Sequence, residues 1–131
     1  MNSAEQFLPD FLRALDDVAK PLFEGVALEA REKGLSALVT ANDDEFGNPY
    51  LQLKILGEDK KEISSYSLKS NVVSHMVIHI ESFGPNEENK EIRTNAASIN
   101  RAVLETELAA FFVKSVGSRL DFVQENHPVG F

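Results

Sequence analysis

The stretch that decides the fold is Tyr50-Leu51-Gln52-Leu53-Lys54-Ile55-Leu56, in which Leu51, Leu53 and Ile55 alternate with Gln52 and Lys54. A period of two sends successive side chains to opposite sides of an extended chain, so these residues form a strand with one buried face. Upstream, residues 35–41 are a short apolar run and residues 42–48 are rich in turn formers, which makes a hairpin with a long tip. Downstream, Gly57-Glu58-Asp59-Lys60 supplies the next turn, residues 62–69 a third strand and residues 72–82 a fourth. Read as extended chain, the fourth strand puts Val72, Ser74, Met76, Ile78 and Ile80 on one face and Val73, His75, Val77, His79 and Glu81 on the other.

Outside this block the period lengthens. Ser3-Ala4-Glu5-Gln6 has capping-box spacing, and Phe7, Phe11, Leu15, Val18, Leu22 and Val26 recur every three or four residues with Asp10, Asp16, Asp17, Lys20 and Glu24 between them. Pro21 falls mid-run, where it removes a helical hydrogen bond, so the helix is expected to kink near residue 20; Gly34 ends it. Residues 83–93 hold Gly84, Pro85 and several Asn and Glu, the composition of an exposed connection. A last helix is expected over 95–116, with Val103, Leu108 and Phe112 in the core. The order helix, strands, helix predicts one α+β domain: a two-layer sandwich whose four-stranded antiparallel meander is covered on one face by the kinked N-terminal helix and the C-terminal helix. On this reading Val73 and Val77 leave the second face partly apolar, and a second copy of the chain, a partner protein or the C-terminal tail folding back covers part of it.

The chain of 131 residues carries 13 Lys and Arg against 21 Asp and Glu, a net charge of −8, and no Cys. That balance argues against a nucleic-acid partner, whose affinity rests on cationic side chains, and the missing thiols remove disulfides, thiolate metal sites and a Cys nucleophile. Neither a secretory leader nor an apolar run of spanning length is recognisable, so the expected location is the cytoplasm, away from membranes.

No motif decides a reaction. His75 and His79, four residues apart on a strand, would stand about 13 Å from each other, too far to share an ion, and the zinc-protease pattern fails because Met76 follows the first His. Ser74 and His75 are neighbours on an extended chain and point apart, so they make no local nucleophilic dyad. The tip Asn42-Asp43-Asp44-Glu45-Phe46-Gly47-Asn48 fails the calcium-loop pattern, having Leu53 where the closing Glu belongs. Neither glycine-rich phosphate cradle is present. Arg93 and Arg101 flank the start expected for the last helix, a weak signal for a small anion. No metal and no cofactor is therefore expected.

The leading expectation is a non-enzymatic protein-binding or adaptor module acting as a homodimer, with a basic protein partner matched to its negative charge. Bacterial secretion chaperones and toxin-immunity proteins share this size, charge and α+β character, a likeness of class without a shared motif. The binding residues expected are Val73, His75, Val77, His79 and Glu81. The alternative is a small-ligand protein or enzyme with a pocket between helix and sheet near His75, His79 and Glu81.

Overall fold

In the computed structural model, which describes residues 3–57, 62–83 and 90–116, five antiparallel strands form one sheet in chain order: β1 (Ser36–Asp43), β2 (Pro49–Leu56), β3 (Glu62–Asn71), β4 (Met76–Ser82) and β5 (Lys90–Thr94). Before it come α1 (Ser3–Ala14), a π-helical turn (Leu15–Ala19) and α2 (Lys20–Glu32); after it come a 3-10 turn (Ala96–Ser98) and α3 (Arg101–Val116). The α+β meander with a kinked N-terminal helix and a C-terminal helix is thus the observed fold.

Pro21 acts slightly upstream of its own position. It opens α2, where its missing N–H costs nothing, and the backbone adapts before it by widening into the π turn, in which the Lys20 N–H reaches back to the Leu15 carbonyl. Gly34 ends α2 as expected, at φ +87°, with its own N–H on the Arg31 carbonyl and the Leu35 N–H on that of Ala30.

Strand register explains the core. Leu53 lies opposite Val39 and Tyr66, Leu51 opposite Leu68, and Leu68 opposite His79, so one face carries Leu51, Leu53, Ile55, Tyr66, Leu68 and Val77. All six are buried, with Phe11, Phe23 and Val26 of the N-terminal helices and Leu104, Leu108, Phe111 and Phe112 of α3 packed over them. No helix of the described residues is long and apolar enough to cross a membrane.

Four expectations are corrected. The fourth strand starts at Met76, not at residue 72: β3 runs on to Asn71, whose side chain accepts the Val73 and Ser74 amides at 3.0 Å each while its carbonyl accepts that of His75 at 2.8 Å. This Asn-centred turn holds His75 at φ 61° and contains no Gly or Pro to advertise it. The two faces of β4 are also reversed: Val77 and His79 face the helices, and Met76, Ile78 and Ile80 lie on the uncovered side, because Ser70 opposite Val77 and Leu68 opposite His79 belong to core rows. Next, the connection expected over 83–93 ends in a fifth strand, Lys90–Thr94, paired along β4. As an edge strand it needs only backbone partners, and its charged, exposed residues read as loop. Finally, the helix expected from 95 begins at Arg101, after the 3-10 turn capped by the Asn95 side chain, and Val103 is 36% exposed whereas Leu108 and Phe112 are fully buried.

Candidate functional site

The five binding residues expected from sequence do not share a surface. Val73 is 88% exposed at the turn before β4, and His75 stacks on Phe7 of α1 with ring centroids 5.6 Å apart. Val77 lies in the core. Glu81 is half-buried opposite Tyr66 and Lys90. His79 is 3% exposed and sits at the centre of a polar cluster inside the apolar layer.

That cluster is built from four parts of the chain. His79 on β4 places Nδ1 2.7 Å from Glu107 Oε2 on α3 and 2.8 Å from the Tyr66 hydroxyl on β3, and its Nε2 2.8 Å from Ser98 Oγ in the 3-10 turn. The Tyr66 hydroxyl also donates to Glu107. Ser98 Oγ lies 2.7 Å from the Asn95 carbonyl as well, so its single proton has two acceptors in reach. A carboxylate only accepts, which assigns a proton to Nδ1. With Nδ1 protonated, Nε2 of the neutral ring accepts from Ser98 when the hydroxyl turns to it; only the imidazolium donates from Nε2, to a Ser98 hydroxyl turned to Asn95.

The electrostatics follow from the same contacts. Burial pushes the Glu107 carboxyl up, but hydrogen bonds from His79 and Tyr66, with the charge of His79 and Lys90, outweigh it, so Glu107 titrates below the ordinary carboxyl value. Burial and the neighbouring Glu107 charge push the Tyr66 phenol far up, which keeps it a donor. Burial likewise raises Glu81, against the opposing charge of Lys90. Tyr66 is held edge-on by Phe23 of α2 and Phe111 of α3 at 5.7 and 5.8 Å between centroids, so the cluster is fixed by both helices of the covering layer.

Sequence reasoning missed Glu107, Tyr66 and Ser98. Glu107 carried a signal: it falls three residues after Leu104 and four before Phe111, on the face of α3 that both bury. Tyr66 sat at an inward position of β3 between Ser64 and Leu68. Nothing in the sequence marked Ser98. Ser74 and His75 are chain neighbours and form no dyad, whereas Ser98, His79 and Glu107, from three elements, meet here.

Three of the recesses among the described residues are lined by other parts of the chain and do not touch His75, His79 or Glu81. One of about 250 Å³ lies between the N-terminal helix and the β1–β2 hairpin, lined by Leu12, Leu15, Ala41 and Leu51 together with Asp16, Lys20 and Asp43. The hairpin tip beside it is fixed by Asp44, whose carboxylate accepts the Phe46 and Asn48 amides at 2.8 and 2.9 Å, with Gly47 at φ +80°. The Asn48 amide bond outweighs desolvation and lowers the Asp44 carboxyl. The two arginines considered for an anion face carboxylates instead: Arg101 meets Glu105 at 2.5 Å and Arg93 approaches Glu91 at 3.8 Å. Comparison of the chain with family models, with curated proteins and with solved structures finds no match.

Proposed function

We propose that this chain is a protein-binding module, of a chaperone-like or immunity-like kind, that takes a basic segment of its partner in the recess beside the β1–β2 hairpin. The supporting observation is the pairing of apolar lining with two carboxylates, Asp16 and Asp43, which outnumber the one cation, Lys20. Leu12 is 42% exposed, Asp16 and Asp43 are among the lining residues, and Asp44 and Glu45 follow Asp43 in the hairpin tip. An Arg or Lys side chain matches both parts, its aliphatic stem covering the leucines and its cation meeting the carboxylates. At about 250 Å³ the recess lies just below the range of roughly 300–1,000 Å³ usual for small-molecule sites, which favours one anchoring side chain over a free ligand. The net charge of −8 steers a basic partner toward it.

The test uses a fluorescent ten-residue peptide of alternating Arg and Leu, with a Glu and Leu peptide as control, titrated against wild type and the Asp16→Asn, Asp43→Asn double variant. Expected is binding of the basic peptide alone, weakened at least tenfold in the double variant and by added salt. Equal binding of both peptides, or no loss in the double variant, refutes the reading. The homodimer belongs to the same proposal. Its support is the sheet face without helices, where Leu38 is 52% exposed and Met76, Ile78 and Ile80 are only half-buried. Light scattering should give twice the chain mass for wild type and a monomer for Ile78→Lys; a monomeric wild type removes the dimer and leaves the peptide test standing.

A further inference from the structure

We propose that Ser98 is a nucleophile that accepts the acyl group of small esters, with His79 as its general base and Glu107 as the carboxylate that orients the ring. This goes beyond the binding reading and shares no residue with the recess that supports it. Two contacts and one burial carry it. Glu107 Oε2 holds Nδ1 at 2.7 Å, Nε2 faces Ser98 Oγ at 2.8 Å, and the ring is 3% exposed, so it has little freedom to turn away. Carboxylate, imidazole and hydroxyl in that order form the relay that activates a serine, and it is recognised by geometry and roles wherever its members lie in the chain. Tyr66 holds the carboxylate from its other side, as an orienting residue and not a reacting one.

Position adds to the relay. Ser98 is half-exposed while its base is buried, so an incoming carbonyl, and then the hydrolytic water, reach the ring only at the hydroxyl side.

In the first step Ser98 Oγ bonds to the carbonyl carbon while its proton passes to His79 Nε2. The tetrahedral oxyanion collapses, the bond to the leaving alkoxide breaks, and that oxygen takes the proton from Nε2. In the second step Nε2 takes a proton from water as the water oxygen attacks the acyl-serine. Collapse returns the Ser98 hydroxyl, protonated by the same nitrogen, and releases a carboxylic acid.

The full chain is treated with a fluorophosphonate probe and, separately, with p-nitrophenyl acetate. Expected are one probe adduct mapped to Ser98 by peptide mass, and release of p-nitrophenol that falls to the background set by other side chains in Ser98→Ala. Glu107→Gln should slow labelling by about 10³-fold or more, as a relay that loses its orienting carboxylate does; Ser98→Ala, at a half-exposed position, keeps the test valid if that variant fails to fold. No adduct on Ser98, or ester cleavage unchanged in Ser98→Ala, overturns the proposal.

Discussion

Glu107→Ala removes the acceptor shared by two buried donors, and its cost can be worked from the contacts. The Tyr66 hydroxyl is left in a fully buried position with only His79 near it, and His79 Nδ1 loses its carboxylate at 2.7 Å. A hydrogen bond to a charged group contributes about 1.5–3 kcal/mol and a stranded buried donor costs about 1–3 kcal/mol. Glu107 is 22% exposed, so water offsets part of this, and about 3 kcal/mol is the expected loss. With about 2.1 cal/mol/K per residue over 131 residues, that lowers Tm by roughly 10 °C. The pH dependence supplies a second reading. Glu107 titrates below its ordinary value of 4.5, so its contribution is present above about pH 4.5 and is lost as pH falls through the lower folded-state value. Urea unfolding followed by circular dichroism should therefore show the gap between wild type and Glu107→Ala at pH 7 and a narrower gap near pH 3. A loss under about 1 kcal/mol at pH 7, or a gap independent of pH, would show that the cluster is not held as described.

Two further outcomes follow. Glu81 is shifted the other way, so the folded state holds its proton more tightly, and stability is lost as pH rises from the ordinary carboxyl value of 4.5 through the raised one; Glu81→Gln should raise Tm at pH 7 and leave it unchanged near pH 4 in a thermal scan. On α3, Leu108→Ala and Phe112→Ala should each cost about 2–5 kcal/mol in chemical denaturation, whereas Val103→Ala, at 36% exposure, should cost under about 1 kcal/mol.

Side-chain periodicity made the meander legible because Leu51, Leu53 and Ile55 bury one face and leave the other in contact with water. It failed where the backbone alone carried the structure. The turn at 72–75 is made by the Asn71 side chain capturing two amides, so Val72 and Val73 continue the apolar pattern of a strand they do not join. β5 exists by hydrogen bonding to β4, and no apolar face records it. At the site, His79 was legible as a polar residue on a strand, but its burial was not. Period two separates the faces of a strand without saying which one the helices cover, and that choice is set by pairing with Leu68 one strand away. Glu107 is 28 residues from His79 and 41 from Tyr66, and such separations leave no trace in any local window.

The cluster also fixes how α3 lies on the sheet. Its apolar residues cover much of its circumference, with Leu104, Leu108, Ala109, Phe111 and Phe112 all buried, so greasy contact alone permits several rotations about the helix axis. A rotation by one residue, about 100°, would take Glu107 from Tyr66 and His79, strand both donors and put the carboxylate against hydrocarbon. The penalty for unpaired buried polar groups thus selects one rotation, which is the same one that sets Nε2 toward Ser98. Structural and chemical roles therefore coincide at Glu107 and separate at Ser98. If the cluster only anchors the helix, Glu107→Ala destabilises the fold and Ser98 reacts no faster than any exposed serine. If it also activates the hydroxyl, Ser98→Ala leaves stability within about 1 kcal/mol of wild type and removes the acyl adduct.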